Sequence, residues 1–475
     1  MTLRRAVQLA SFTVFVLLTV IGVGASVGWL PESLFSRLDP LVAFAAIIAS
    51  RTRIAIWAVA FLTIAVTVIF GRAWCGWVCP LGTLLDLVPA RKGKKARLSR
   101  HWRLGKYVLF TLVVGAALLG HLGPMVLDPV TVITRPLQEI ARPFYGADSL
   151  ARNVGPELGR GYIRAVALLS LLPLIGVLAL NAIGRRTWCR TLCPLGGLLA
   201  LFSKAPGIRR VVDAGACTSC ARCARDCPTD AIERTEGFAS SAAECTVCMQ
   251  CAEECPSQAI HFRVELGQVL APGFRPDRRE AVAAIGAAGV SLAAVVLPIH
   301  RGPDDILRPP STNDARLSEL CIRCGACYSA CPAGALRPSL SLTNVAGPWT
   351  PMLDERPAIC SLNCNRCASA CPTDALHTPT TAERVELGLG SVAQVDRDRC
   401  RAWARGHECM RCQAACPIAG AIVTGDRSAE MGEGPPVGVP IVDPEKCVAC
   451  NLCAQACPAR PVAIYAPPLP PGAGM

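Results

Sequence analysis

Six runs of four cysteines, each ending in Cys-Pro, are the part of this chain best suited to chemistry. Cys217, Cys220, Cys223 and Cys227-Pro228 have the spacing C-x2-C-x2-C-x3-C-P. It recurs at Cys245, Cys248, Cys251 and Cys255, at Cys321, Cys324, Cys327 and Cys331, and at Cys447, Cys450, Cys453 and Cys457. Two variants stretch the first gap: Cys360, Cys364, Cys367 and Cys371, and Cys400, Cys409, Cys412 and Cys416. Three thiolates two residues apart wrap three corners of a [4Fe–4S] cube, and the fourth turns away to the neighbouring cube. The proline after it suits a first helical position. One cube therefore takes Cys217, Cys220, Cys223 and Cys255, and a second takes Cys245, Cys248, Cys251 and Cys227. The four C-terminal runs supply four more cubes, six in all, paired either sequentially or in a nested order. Zinc is the competing metal, but its structural sites draw four ligands from two separated pairs. A disulfide framework belongs to small secreted domains that lack a core.

Four cysteines remain of the 28, and they form two C-x3-C-P pairs, Cys75/Cys79 and Cys189/Cys193. They are candidates for an additional metal centre, a copper site or a redox-active disulfide. The plainer reading is that they only shape a turn.

The elements that carry these motifs are of two kinds. The chain is 52% apolar and only 17% charged, with a mean hydropathy of +0.39, which points to transmembrane helices. Apolar stretches cover about 7–30, 54–71, 107–127, 162–183 and 281–298, each near the roughly 20 residues that cross a bilayer. The first 200 residues repeat themselves. Leu38-Asp39-Pro40 precedes the second stretch and Leu127-Asp128-Pro129 the fourth; Gly71-Arg72 leads into Trp74-Cys75, and Gly184-Arg185 into Trp188-Cys189. Parallel repeats put equivalent positions on one side of the membrane, so all four paired cysteines belong together.

The net charge of +13 reads as a topology signal rather than a nucleic-acid surface. Between residues 72 and 106, nine Lys and Arg face Asp86 alone. The positive-inside rule then puts the N-terminus, this segment and the region after the fourth helix in the cytoplasm. The first helix lacks a small-residue cleavage site and is followed by further spans, so it is not read as a cleavable signal. Arg278-Arg279 before Ala281–Pro298 resembles a twin-arginine export signal, although Glu280 and Ala281 depart from the usual followers. Linkers rich in Pro and charge are expected near 263–279, 302–316 and 338–357.

The expected architecture follows: an α-helical membrane domain over 1–205, with four helices in two repeats, and a cytoplasmic two-cluster ferredoxin domain over 206–265. A twin-arginine-like fifth transmembrane helix covers 275–300, and a periplasmic four-cluster polyferredoxin domain covers 301–465. The tail, 466–475, is expected to be disordered. Both cluster domains are of the α+β bacterial-ferredoxin type.

On these motifs, residues 1–265 resemble NapH, the membrane quinol-dehydrogenase subunit of periplasmic nitrate reductase systems, and its relative MauN. Residues 275–475 resemble NapG or MauM, the exported four-cluster partner, whose long-gap third run is echoed by Cys400 and Cys409. The chain thus looks like a fusion of two usually separate subunits in the bacterial inner membrane. The resemblance implies electrons passing from the membrane quinone pool, with quinol as donor, to a periplasmic partner such as a cytochrome or reductase. No motif fixes a quinol site; Asp39, Asp128 and His121 are the candidates, although an Asp-Pro often just turns the chain. Two other readings stand beside this one. Cupric-reductase relatives involved in oxidase assembly share the C-x3-C-P pairs and two ferredoxin runs, but lack four further runs. A cluster scaffold would need labile and few centres, which six fully ligated runs argue against.

Overall fold

Helices dominate the first part of the computed structural model. The described residues are 3–21, 33–51, 58–88, 100–141, 156–203, 207–234, 237–264, scattered positions between 278 and 290, 308–309, 312–332, 335–340, 347–353, 364–378, 392–432, 436–450 and 452–466. Cys360, most of the fifth apolar stretch and nearly all of the tail lie outside them. The chain divides into two compact units. The first is Met1–Ile140 with Ala167–Pro298 and Ser318–Cys324; the second is Ala141–Val166 with Ile299–Leu317 and Gly325–Met475.

In chain order the helices are α1 (Leu3–Ile21), α2 (Leu34–Arg37), α3 (Pro40–Ser50), α4 (Ala58–Phe70), α5 (Pro80–Leu87), α6 (Leu104–Leu118), α7 (Pro129–Ala141), α8 (Pro156–Ile183), α9 (Thr187–Thr191) and α10 (Pro194–Phe202). The expected four helices in two repeats are therefore joined by further helices, α2 and α3 after α1 and α7 after α6. Asp39 caps α3, its Oδ1 accepting from the amides of Leu41 at 2.8 Å and Val42 at 3.4 Å. Asp128 opens α7 in the same way, accepting from Val130 and Thr131, both at 3.0 Å. An acid at the N-cap followed by proline at the first helical position is a strong helix start, so Asp-Pro begins a helix here rather than merely turning the chain. The third apolar stretch is also shorter than expected: α6 ends at Leu118, and Gly123–Leu127 is a 3-10 turn.

Among the described residues, two helices, over Leu3–Val20 and Val166–Ile183, are long and apolar enough to cross a membrane, and only 22% of each of these segments is buried. Large apolar side chains point outward along the helices: Phe61, Leu62, Leu118, Leu168 and Leu172 are all more than half exposed.

After α10 the chain forms β1 (Ile208–Val212) and β2 (Ile260–Val264), paired antiparallel from Ile208↔Val264 to Val212↔Ile260. This ribbon ties together the two ends of the segment bearing the first two cysteine runs.

The second unit has three further ribbons. β3 (Leu336–Pro338) pairs with β4 (Pro351–Leu353), β5 (Gln394–Val395) with β8 (Ile464–Tyr465), and β6 (Ile422–Asp426) with β7 (Gly438–Val442). β4 falls where a linker was expected, held by the Ser339 amide on the Thr350 carbonyl at 2.8 Å. The expected 302–316 linker likewise contains the start of a helix, Asp314–Leu320. Trp403 anchors the last part, donating to the Pro440 carbonyl at 3.3 Å, with Arg397 over its ring at 4.1 Å.

Candidate cluster and metal centres

The cysteine runs share a backbone device. In the four evenly spaced runs, the residue before the second cysteine is left-handed: Ser219, Val247, Arg323 and Ala449. In three of them the residue after the second cysteine is too: Ala221, Met249 and Gly325. Left-handed backbone costs a non-glycine residue roughly 1–2 kcal/mol. Its recurrence at matched positions marks a loop curled so that successive amides face inward, the nest that suits iron–sulfur sites. In the stretched runs the equivalent residues, Asn365 and Met410, have φ of −113° and −118°, so the longer first gap reaches its geometry differently.

The loops bring cysteines together across runs. Cys217, Cys220, Cys223 and Cys255 line one cavity, and Cys227, Cys245, Cys248 and Cys251 line another. In the second unit Cys400, Cys409, Cys412 and Cys457 line a third, and Cys416 lies within electrostatic reach of Cys450. The helical turn Ala326–Ser329 packs against Arg366–Ala370, and Arg411–Ala414 against Leu452–Ala456. Neighbouring runs are therefore joined sequentially, which the spacing alone left open. The fourth cysteine of a run also accepts a backbone amide: Ala231 on Cys227 and Ala335 on Cys331 at 3.3 Å, and Ala463 on Cys457 at 3.4 Å. Such bonds help set a cluster's potential.

The two C-x3-C-P pairs also meet. Cys75 lies in the π-helical turn Trp74–Val78, and Cys79 and Cys193 are the N-caps of α5 and α10. Each of Cys79, Cys189 and Cys193 has cysteines of both pairs, or of the opposite pair, among its charge neighbours. Cys75, Cys79 and Cys193 are buried and Cys189 nearly so. Burial pushes the Cys79 and Cys193 thiols well up and the Cys189 thiol up to about 11, as it pushes Cys245 up to about 12. A metal must therefore displace the protons to be ligated here. Among the described residues, no three His, Cys, Asp or Glu side chains converge closely enough to share a single metal ion.

Around these pairs lie charges that the sequence did not single out. Fully buried Arg72 and Lys106 share the carboxylate of Glu244, Arg72 at 3.3 Å. Arg186, equally buried, shares Asp86 with Arg4, Arg186 at 2.8 Å. Arg190 and Arg103 share Asp230 at 2.8 and 3.6 Å. Arg72 and Arg186 are repeat equivalents, each three residues before the first cysteine of its pair. Aligning Gly71-Arg72 with Gly184-Arg185 hid this by one residue; counting back from the cysteines would have found it. Each reaches into the opposite repeat. Arg186 donates to the Cys75 and Gly82 carbonyls at 3.0 and 3.2 Å, while the Arg72 guanidinium occupies the space where a Cβ on Gly196 would lie, at 2.7 Å.

The ferredoxin segment docks on these loops. Trp77 donates to the Val247 carbonyl at 2.9 Å, and a Cβ on Gly76 would fall 2.3 Å from the Thr246 carbonyl oxygen. At the other end of α6, the Leu122 amide donates to Ser318 at 2.8 Å and Arg135 donates to Arg323 at 2.9 Å. His121 is buried here, beside Gly123 and the Arg323 guanidinium, past the end of its helix rather than on it. Asp39 and Asp128 are fully buried and lie beside each other, with Asp39 Oδ2 and Asp128 Oδ1 making no hydrogen bond among the described residues.

Comparison with known proteins gives the same chemistry. A model described as "4Fe-4S binding domain" matches residues 52–98 and 166–211, a "4Fe-4S dicluster domain" matches 320–375 and 405–460, and a further "4Fe-4S binding domain" matches 210–233. The chain is 26% identical to the methylamine utilization ferredoxin-type protein MauN of Methylorubrum extorquens, over 48% of this chain and 74% of that protein. It is 31% identical to the ferredoxin-type protein MauM of Methylophilus methylotrophus, over 36% of this chain and 74% of that protein. It is 25% identical to the ferredoxin-type protein NapH of Haemophilus influenzae, over 37% of this chain and 54% of that protein. No solved structure matches.

Proposed function

The chain belongs to the 4Fe–4S ferredoxin-type proteins of the MauM, MauN and NapH kind, and from that premise we propose that it is a membrane-bound electron conduit. It oxidises quinol and delivers electrons to a redox partner, a cytochrome or reductase, on the periplasmic side. Its 24 run cysteines hold six [4Fe–4S] cubes, which supply one-electron transfer with no covalent bond made or broken in the protein. The residues fit that cofactor, since cysteines from paired runs line common cavities beneath curled backbone loops.

One observation carries the reading. Lys106, near the start of α6, binds Glu244 beside the first two runs, whereas Leu122, beyond its end, binds Ser318 just before the third. The 15 residues of α6 rise roughly 22 Å, so the Glu244 and Ser318 contacts lie at opposite ends of the helix. The outward apolar side chains support a bilayer around that helix. With the bilayer there, the chain crosses once more between residues 264 and 318, and Ala281–Pro298 is the apolar stretch available for it. The basic 72–106 segment lies at the Glu244 end, which supports that end as cytoplasmic. Asp39, Asp128 and His121 lie toward the opposite end and are the candidates for taking quinol protons.

The test is anaerobic reduction of the purified protein by a menaquinol analogue, followed by EPR. Quinol-dependent cluster signals are expected. Signals that arise with dithionite but never with quinol overturn the quinol-oxidising role.

A further inference from the structure

We propose that Cys75, Cys79, Cys189 and Cys193 together hold one further [4Fe–4S] centre, shared by the two halves of the repeat. The role of that centre in the electron path rests on the function proposed above; its existence does not.

The ligand count comes first. Each half of the repeat brings only two cysteines, too few for a cube, yet both matched segments are of a 4Fe–4S binding kind. The four side chains lie near one another, three of them buried and Cys189 partly so. A shared cube needs four thiolates spread over its corners, whereas a single copper or zinc ion needs them drawn onto one point.

Charge comes second. Arg72 and Arg186 are buried to 1% and 0% exposure, and each shares its carboxylate with another cation, Lys106 on Glu244 and Arg4 on Asp86. Among the described residues, two cations to each carboxylate leave one positive charge uncompensated at each arginine, and buried charge without a counter-charge is costly. Cys75 and Cys193 are among the groups facing Arg72, and Cys189 faces Arg186, with Cys248 of the neighbouring cluster loop also in reach of Arg186. Neutral thiols or disulfides offer these arginines no counter-charge. A [4Fe–4S] core with four thiolates carries roughly two negative charges, and one more when reduced.

Symmetry and position come third. The arginines cross between halves, Arg186 onto the Cys75 and Gly82 carbonyls and Arg72 into the space left by Gly196. The contact that docks the next cube's loop, Trp77 on Val247 between Cys245 and Cys248, begins in the same turn as Cys75. A centre here would pass single electrons to that loop's cube, with no bond or proton changing at the cysteines.

The experiment is iron and acid-labile sulfide analysis, with Mössbauer spectra, of the anaerobically purified full chain. Seven cubes give about 28 irons and 28 sulfides per chain, and six give about 24. In the variant Cys75→Ser/Cys189→Ser both counts fall by about four, and one EPR signal disappears while the others remain. Unchanged counts in that variant overturn the proposal, as does copper bound one to one by the wild type and lost from the variant. Arg72→Gln keeps all four cysteines and leaves Glu244 paired with Lys106. It should retain its iron while one midpoint potential moves to more negative values; potentials that all stay in place overturn the electrostatic argument.

Discussion

Replacing Glu244 with glutamine is the sharpest test of how the ferredoxin segment is held to the cysteine-pair loops. The Glu244 carboxylate is 1% exposed and is the counter-charge for two cations buried as deeply, Arg72 and Lys106. Glutamine keeps the shape and can still accept a hydrogen bond, but it removes the negative charge from both. Breaking a buried pair while leaving its partner charged costs about 3–5 kcal/mol. For a chain of 475 residues each kcal/mol moves Tm by about 1 °C, so Glu244→Gln should unfold about 3–5 °C lower. Intrinsic fluorescence of detergent-solubilised protein reports it, because Trp77 donates across the docking contact to the Val247 carbonyl. Adding Lys106→Met removes one of the two stranded cations and should recover part of the loss, since residues in one network couple by about 0.5–3 kcal/mol. A Tm for Glu244→Gln within about 2 °C of wild type would refute the clamp.

Three further outcomes follow from the same geometry. Gly76→Ala should weaken docking by about 1–3 kcal/mol, read as faster proteolysis of the ferredoxin segment, because its Cβ would press on the Thr246 backbone at 2.3 Å; unchanged proteolysis contradicts the contact. Burial alone would raise the Asp86 carboxyl, but Arg186 and then Arg4 hold it below the usual range. Its contribution to stability is therefore present above the ordinary carboxylate pKa and lost as pH falls through the lower folded value. Asp86→Asn should thus lower Tm near pH 7, with the gap to wild type closing below about pH 4; a gap that widens in acid reverses the sign and the argument. Asp39→Ala should cost about 1–2 kcal/mol through loss of the α3 cap, whereas Asp39→Asn keeps the cap acceptor on Leu41 and Val42. Equal thermal shifts for the two variants would deny the capping role.

The cysteine chemistry was legible because ligand spacing is local: three or four residues along the chain fix a loop whatever surrounds it. The repeat was legible for the same reason. What stayed hidden depends on partners far away in sequence. Glu244 reads as one more surface acid until Arg72 and Lys106, 172 and 138 residues distant, fold onto it. Asp39 and Asp128 were noticed, but as turn residues or proton acceptors. Their capping of α3 and α7 needed those helices, which the flanking apolar stretches masked. The pairing of the C-terminal runs depends on which helical turns pack together, and spacing carries no record of that. The stretched runs show the limit from the other side: Asn365 and Met410 abandon the left-handed geometry of their counterparts, although their cysteines look equivalent.

In the proposed function, electrons pass from a quinol in the bilayer to the C-terminal clusters. Proteoliposomes containing the full chain and a menaquinol analogue, with a membrane-impermeant oxidant supplied on one side only, measure this directly. Quinol-driven reduction of the oxidant should occur on the side bearing the C-terminus and be lost in Cys453→Ala, while the cytoplasmic-side clusters still become reduced. Reduction occurring only on the side of the N-terminus, or at an unchanged rate in that variant, would contradict it.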